Sequence, residues 1–384
     1  MNSIKRILCV SFVGFVFIAV PVHFWLTDPH GVMRQAFVIQ APLSKLAQQC
    51  SSNSPDWLGR ISLTGVDQLK ALSTQAAFLD KNGNLSHCET GWNSVIFFSD
   101  RVDANTRFRY GSLTKPLTAS AIIMLVNNGK LSYQSGLADS LGYDVGSSVN
   151  QDFLAVTIEK LLLHRSGVQG HIFLNRKKPV CPDDLASFMA TGKVKRAGDF
   201  EYSNMGYCLL GEVVAHKDGR PYKQAMERLY GLSERGMRFV GYQTEIDEVK
   251  RDFRFNDFYG VNNKGRFDYG AVAATAGLSG SASAYARLIK DMIHQTDEDI
   301  LSGFDAECDD RSLKNCYGYA FYSYSPMNGE RLYVKEGYMP GASGVVVIND
   351  EGEVFVWLGN SDTENAASGM AMKIFLDKLV GLGF

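Results

Sequence analysis

Segments with the pattern of β-strands lie near both ends of the 384-residue chain, and the middle has the pattern of helices. Two short apolar stretches between residues 75 and 98 flank Asn82-Gly83, a step typical of a tight antiparallel turn. Residues 317–324 and 344–358 alternate or run apolar like strands, whereas residues 159–237 follow a helical period. The sequence therefore predicts an α/β fold of the α+β type. Both ends build one antiparallel sheet, flanked by helices, around which an α-helical lobe is inserted.

The charge balance limits the partners of this chain. Lysine and arginine total 39 against 41 acidic residues, so the net charge of −2 creates no field that would hold a polyanion. Nucleic acid is therefore not expected as a partner. The expected substrate is a small molecule, or a local part of a peptide or other polymer.

The N-terminus carries a signal for export. Lys5 and Arg6 precede an apolar run over residues 7–26, which as a helix reaches about 30 Å, the thickness of a bilayer core. Basic residues before the run place the N-terminus in the cytoplasm and the rest outside it. We expect a signal anchor over residues 1–27, a linker over 28–60 and one catalytic domain over 61–384. The alternative is a cleaved signal peptide, although residues 19–22 lack a convincing cleavage pattern.

Cysteine usage agrees with export. Six of the seven cysteines lie beyond the apolar run, an even number that allows three disulfides in an oxidising compartment. Cys308 and Cys316 are the best-supported pair because the polar loop between them is short, but sequence alone leaves the connectivity open. No C-x-x-C or H-x-x-x-H spacing occurs, so no metal and no cofactor is expected.

Ser112-Leu113-Thr114-Lys115 opens a helical pattern that continues to about residue 128. Ser112 and Lys115 lie one helical turn apart on the same face, so the amine can reach the hydroxyl. A desolvated lysine with a lowered pKa can take the proton of a serine hydroxyl and make it a nucleophile. This spacing also occurs by chance, and alone it is equally compatible with an ordinary capped helix.

Two further motifs follow. In Tyr202-Ser203-Asn204, a phenol beside ammonium groups is a credible base and proton shuttle, and Asn204 could orient a substrate or Lys115. Lys335-Glu336-Gly337 precedes a strand, where a lysine adds positive potential and a glycine lets the backbone approach a substrate. Taken separately, each motif is also compatible with an ordinary turn.

In this order, S-x-x-K, Y-S-N and K-x-G resemble the motifs of the penicillin-recognising serine hydrolases, most closely class C β-lactamases and related peptidases and esterases. Residues 161–168 are similar to the LLTHTSG segment of that family, and residues 276–282 to its glycine-rich approach to the last strands. The resemblance covers about residues 61–384 and implies a β-lactamase/transpeptidase-like fold.

The resemblance also implies roles for individual residues. It makes Ser112 the acylated nucleophile, with Lys115 and Tyr202 handling protons. It assigns Asn204 to the substrate amide and places Lys335 along the site. An oxyanion hole would form from the backbone N–H groups of Ser112 and of the residue after the K-x-G motif.

That oxyanion donor is Tyr338, which directly follows Gly337. His164 is expected to be structural, because the proton-handling positions are already filled. The chain departs from the family at Glu336, where threonine or serine usually supplies a hydroxyl for a substrate carboxylate. If Glu336 faces the cleft, it repels such a carboxylate and disfavours penicillins and C-terminal D-alanine.

The predicted function is that of a serine hydrolase that forms an acyl-enzyme with an amide or ester substrate outside the cytoplasm. The substrate would be a D-amino acid peptide of the peptidoglycan type or an ester. One alternative is a β-lactamase or a penicillin-binding D-alanyl-D-alanine carboxypeptidase. An alternative of another class is a non-catalytic, membrane-anchored binding protein that keeps the fold.

Overall fold

The computed structural model of the chain describes residues 18–94, 97–143, 149–170, 181–182, 184–241, 243–255, 270–326, 330–363 and 369–384. The strands are β1 Gln49–Cys50, β2 Thr74–Leu79, β3 Leu85–Thr90, β4 Phe108–Arg109, β5 Arg238–Phe239, β6 Leu278–Gly280, β7 Cys316–Tyr317, β8 Tyr322–Tyr324, β9 Leu332–Met339, β10 Ala342–Asn349 and β11 Val354–Gly359. The α-helices are α1 Pro29–Lys45, α2 Asp56–Gln68, α3 Lys115–Asn127, α4 Leu137–Ser140, α5 Ile158–Leu162, α6 Leu185–Thr191, α7 Asn204–Asp218, α8 Tyr222–Tyr230, α9 Ala273–Ala276, α10 Ala282–Gln295 and α11 Met370–Gly381. Short 3-10 turns cover Gly111–Thr114, Gln151–Ala155 and Asp299–Leu301.

Both ends of the chain contribute to one antiparallel sheet. Its eight strands follow the order β1-β3-β2-β11-β10-β9-β8-β7. The early hairpin β2–β3 joins the late strands through β2 and β11, with Phe78 opposite Phe355. Gly83 adopts a positive φ of 85° in the hairpin turn, a conformation that glycine adopts without strain. The predicted antiparallel sheet with flanking helices is confirmed.

The sheet separates two apolar cores. Helix α10 packs on one face of β2 and β11, in a core that continues into the helices of the lobe. Helices α2 and α11 cover the other face, around the buried ring of Trp357. The central strand β10 is buried along its whole length, in agreement with its apolar run over residues 345–348. Side chains on the neighbouring strand β9 alternate between the two cores.

The segment over residues 28–60, expected to be a linker, is folded from Pro29 onward. Asp28 caps α1 by accepting a hydrogen bond from the backbone N–H of Gly31 at 2.8 Å, and proline stands at the first helical position. Helix α1 buries Phe37 against Phe255, at a ring-centroid distance of 5.3 Å. The strand β1 then pairs with β3, and α2 begins at Asp56, before the expected domain start.

Most of the predicted anchor lies outside the described residues. Residues 18–27, which include its end, are helical. No helix within the described ranges has the length and apolarity needed to cross a membrane.

Three disulfides join the six cysteines beyond the apolar run. The predicted bond between Cys308 and Cys316 is present. The others join Cys50 to Cys88 and Cys181 to Cys208. The first of these links β1 to β3 at the edge of the sheet, and the second ties Cys208 of α7 to the segment before α6.

Candidate active site

Ser112 lies in the 3-10 turn that leads into α3, where the turn meets strand β9. Two glycines permit this contact. A Cβ on Gly111, whose φ is 55°, would lie 2.6 Å from the carbonyl oxygen of Tyr338. A Cβ on Gly337 would collide with the carbonyl oxygen of Tyr110. The glycine of the K-x-G motif therefore lets the backbone of β9 approach the turn that carries Ser112.

Lys115 is fully buried beneath Ser112, with 0% of its surface exposed. Its Nζ lies 3.1 Å from Ser112 Oγ, 2.7 Å from Asn204 Oδ1 and 3.1 Å from the carbonyl oxygen of Thr275. Burial, and secondarily the charge of Lys335, holds the pKa of Lys115 well below its usual range. A neutral amine donates to the Asn204 and Thr275 oxygens and turns its lone pair to the Ser112 hydroxyl. This arrangement can accept the serine proton.

The Tyr202-Ser203-Asn204 motif forms the start of α7. Ser203 caps the helix by accepting a hydrogen bond from the Gly206 N–H at 3.1 Å, which makes Asn204 the first helical residue. Tyr202 precedes the cap and is 38% exposed. The centroid of its ring lies 5.0 Å from Lys115 Nζ and 4.8 Å from the second site lysine, Lys335. The phenol thus lies between two amines at the solvent side of the site.

Lys335 lies on β9, on the same strand face as Gly337, and is only 1% exposed. Its Nζ donates to the hydroxyl of Tyr317 at 2.9 Å and to that of Tyr202 at 3.4 Å. Burial lowers the pKa of Lys335 to about 7, and the nearby carboxylate of Glu336 only partly opposes this effect. The amine is therefore partly protonated near neutral pH.

Glu336 lies on the opposite face of β9. It pairs with Val345, which belongs to the core beneath α2 and α11, whereas Lys335 pairs with Val346 on the site side. Its Oε2 forms an ion pair with Lys314 Nζ at 2.8 Å, and burial raises the pKa of its carboxyl group. The carboxylate therefore does not face the cleft, and the repulsion considered from sequence does not arise.

The structure adds three groups to the sequence motifs. The hydroxyl of Tyr317 accepts a hydrogen bond from the amine of Lys335, and the backbone carbonyl of Thr275 accepts one from the amine of Lys115. The ring of His164 lies beside that of Tyr202, tilted by 37°, with a centroid distance of 4.2 Å. Sequence provides no local signal for Tyr317, since β7 is only two residues long, and a backbone carbonyl carries no residue signature. The sequence segment over residues 161–168 contains His164 but predicts only a structural role for it.

The predicted residues Ser112, Lys115, Tyr202, Asn204 and Lys335 are brought together by hydrogen bonds or ring contacts. Gly337 and Tyr338 lie against the turn of the serine. Among the described residues, no three histidine, cysteine or acidic side chains are grouped so that they could hold a metal ion. The geometry offers a hydroxyl with a buried amine base and a phenol between two amines, which suits acyl transfer.

A sequence model of the family described as Beta-lactamase matches residues 89–376. The chain belongs to the β-lactamase family. This membership confirms the resemblance drawn from the motifs and identifies the protein as a serine hydrolase of that family. Among its relatives, the probable fimbrial assembly protein FimD, serogroup H1, of Dichelobacter nodosus is 30% identical over 371 residues. The alignment covers 94% of this chain and 93% of that protein.

Solved structures share the fold of this chain. The D-amino acid amidase from Ochrobactrum anthropi SV3 complexed with D-phenylalanine superposes with a TM-score of 0.67 and 16% identity, covering 85% of this chain and 99% of that one. The class C β-lactamase from Rhodobacter sphaeroides gives a TM-score of 0.65 and 16% identity, covering 85% of this chain and all of the other, at 100%. The β-lactamase/transpeptidase-like fold predicted from sequence is confirmed.

Proposed function

We propose that this β-lactamase-family protein hydrolyses an amide or ester bond through an acyl-enzyme on Ser112. One observation carries the proposal: the buried amine of Lys115 lies 3.1 Å from the Ser112 hydroxyl, with its other hydrogen bonds directed to Asn204 and Thr275. A structural lysine would be expected to pair with a carboxylate. The lowered pKa of Lys115 instead supports a neutral base beside the nucleophile.

In the acylation step, Ser112 Oγ attacks the carbonyl carbon as Lys115 takes its proton. The new C–O bond displaces the carbonyl π electrons onto oxygen, and the N–H groups of Ser112 and Tyr338 stabilise that oxyanion. The leaving group departs with a proton delivered through the phenol of Tyr202, which lies between the two amines.

In the deacylation step, a water molecule attacks the acyl carbon and gives up a proton to the neutral amine of Lys115, either directly or relayed by the hydroxyl of Tyr202. The bond to Ser112 Oγ breaks, the serine regains a proton, and the carboxylic acid leaves. The overall reaction consumes one water and needs no redox partner or cofactor.

We infer the substrate class from the positions of the charged side chains on β9. Lys335 lies on the site face of the strand, and Glu336 is paired with Lys314 on the other face. In its protonated form Lys335 presents a positive charge on the site face, where the Glu336 carboxylate does not point, and this charge favours substrates that carry a carboxylate near the scissile bond. This observation favours a D-amino acid peptide of the peptidoglycan type over a neutral ester. It also supports, as a second candidate, a penicillin-recognising β-lactamase or D-alanyl-D-alanine carboxypeptidase.

The proposed location is outside the cytoplasm, with residues 1–27 as a membrane anchor. Three disulfides fit an oxidising compartment. The 30% identical relative is named for fimbrial assembly, and fimbriae lie outside the cell. Fractionation of intact cells tests this proposal. We expect the full chain in the membrane pellet after a high-salt wash and accessible to added protease, whereas a soluble form beginning after residue 20 would identify a cleaved signal peptide.

Active-site labelling tests the chemistry. The full chain would be treated in parallel with a fluorophosphonate and with a fluorescent penicillin, and the modified residue identified by mass spectrometry. We expect label on Ser112 and none in Ser112→Ala. The matched control is Ser120→Ala on helix α3, which directly follows the turn of Ser112. The Ser120 hydroxyl contacts Tyr230 instead, so this variant should label normally. Absence of label from the native chain would favour the non-catalytic binding protein.

A further inference from the structure

His164 contacts the segment over residues 201–203, which carries Tyr202, from two sides. It follows α5 with a φ of 56° and is 1% exposed. Its carbonyl oxygen accepts a hydrogen bond from the Glu201 N–H at 2.8 Å, and its side-chain Nδ1 accepts one from the Ser203 N–H at 3.1 Å. The residues immediately before and after Tyr202 are therefore both bonded to this one histidine.

The imidazole also lies beside the phenol that it brackets. Its ring centroid is 4.2 Å from that of Tyr202, 4.7 Å from Tyr317 and 5.0 Å from Tyr207. Because Ser203 donates to Nδ1, that nitrogen must carry a lone pair, and the neutral ring has its proton on Nε2. Within the described residues, Nε2 has no hydrogen-bond partner. The ring's hydrogen bond is therefore the one that Nδ1 accepts from the segment of Tyr202.

The surroundings keep this imidazole neutral. Burial is the main cause of a pKa of His164 well below its usual range, and the charges of Lys335 and Lys115 add to it. Among the residues that the structure describes, the titratable groups around the ring are the amines of α3 and β9 and three phenols, of Tyr202, Tyr207 and Tyr317. None of them is a carboxylate that would favour the charged ring.

We propose that His164 is a positioning residue for the reaction, whose two hydrogen bonds to the backbone around Tyr202 hold the phenol between Lys115 and Lys335. This inference rests on the proposed acyl-transfer function and adds a residue to it. A ring that only fills space would be replaceable by any side chain of similar volume. A positioning residue must instead keep an acceptor where Nδ1 lies and tolerate a left-handed backbone.

Two substitutions separate these cases. In His164→Asn, Oδ1 takes nearly the place of Nδ1, and asparagine tolerates a positive φ. In His164→Gln, the acceptor is one bond further from the backbone and misses the Ser203 N–H. We expect His164→Asn to keep kcat for ester hydrolysis within about fivefold of the native value. We expect His164→Gln to lose about 10- to 100-fold in kcat with little change in KM, because misplacement of a catalytic group by about 1 Å has effects of that order.

A double-mutant cycle tests whether the effect acts through the phenol. In a Tyr202→Phe background the hydroxyl is already absent, so adding His164→Gln should lower kcat by less than about threefold. If His164→Gln costs the same factor in both backgrounds, or is as active as His164→Asn, the positioning inference is wrong. His30→Gln, at a buried histidine of α1, is the matched control for general destabilisation and should leave kcat unchanged.

A readout without turnover distinguishes failure of this inference from failure of the proposed function. Hydrogen exchange at residues 201–203 should be faster in His164→Gln than in the native chain or in His30→Gln. If Ser112 does not label but exchange follows this pattern, the acyl-transfer function fails and the bracketing by His164 is retained. If Ser112 labels and exchange is unchanged, His164 does not hold the segment.

Discussion

Replacement of the buried lysine on β9 should stabilise the protein. Lys335 is enclosed by Tyr317 and Tyr202, and its Nζ meets hydroxyl groups at 2.9 and 3.4 Å. Lys335→Met keeps the length of the side chain and removes the amine. We expect the variant to have a higher free energy of unfolding near neutral pH and to lose activity on substrates that carry a carboxylate, a common exchange between stability and function.

The magnitude follows from the pKa of Lys335, which burial lowers from 10.5 to about 7. One pKa unit corresponds to about 1.4 kcal/mol, so the shift sets an upper bound of roughly 5 kcal/mol on the cost of burying this lysine near neutral pH. The variant also loses the hydrogen bonds to the two phenols, each contributing about 1 kcal/mol. The expected net gain is therefore at most about 3 kcal/mol.

The pH dependence has a definite sign. Between about pH 7 and 10.5 the unfolded chain holds a proton on this lysine and the folded chain does not. The stability of the native protein therefore rises with pH across that window, relative to a variant without the amine. The advantage of Lys335→Met should be largest at about pH 7 and below, and shrink toward pH 10. Urea unfolding of the disulfide-intact protein at several pH values measures this difference.

Lys314→Met provides the opposite case. Its amine forms an ion pair with buried Glu336 at 2.8 Å, so its removal leaves a carboxylate without that partner and should destabilise the protein.

The reasoning about Lys335 would be refuted if Lys335→Met unfolded at lower urea than the native chain and the difference stayed constant with pH. Such a result would mean that the buried amine is charged and well compensated.

Three further substitutions test the geometry. Gly337→Ala places a methyl group against the Tyr110 carbonyl and should slow fluorophosphonate labelling at least tenfold, and an unchanged rate would show that β9 does not need this contact. Glu336→Gln should leave the ratio of penicillin acylation to ester hydrolysis within about twofold, whereas a tenfold change would mean that the carboxylate acts in the cleft. Removal of the Cys50–Cys88 bond by paired serine substitution should lower the free energy of unfolding by about 2–4 kcal/mol without changing the labelling rate. If this variant were fully folded and still labelled more slowly, the edge of the sheet would be coupled to the active site.

Features encoded locally were predictable from the sequence. The Asn82-Gly83 step specifies a hairpin turn through its own backbone preferences, and Ser112 and Lys115 meet because they are one helical turn apart. The apolar patterns of the strands near both ends predicted the sheet in the same way. Helix α1 was different, because the apolar surface that orders it includes Phe255, far away in the chain.

The electrostatics of the site depended on contacts between distant segments. The orientation of Glu336 follows from the register of β9 against β10, where it pairs with Val345. The low pKa of Lys335 follows from burial beside Tyr317, a residue on a separate short strand. A motif predicts which residues are present at a site. It does not predict which strand face a side chain occupies or how much water reaches it, because those properties arise only when the segments pack.

The basic groups of the site should titrate as a coupled set. The charge of Lys335 lowers the pKa of Lys115, and both lysine charges lower the pKa of His164. Groups coupled through their charges lose their protons in steps that belong to the set as a whole. Removing the charge of Lys335 therefore lets Lys115 keep its proton to higher pH, so a higher pH is needed to make it a base. The rising limb of the pH profile of Ser112 labelling by an uncharged fluorophosphonate should move to higher pH in Lys335→Met. A limb that stays in place would show that Lys115 owes its low pKa to burial alone.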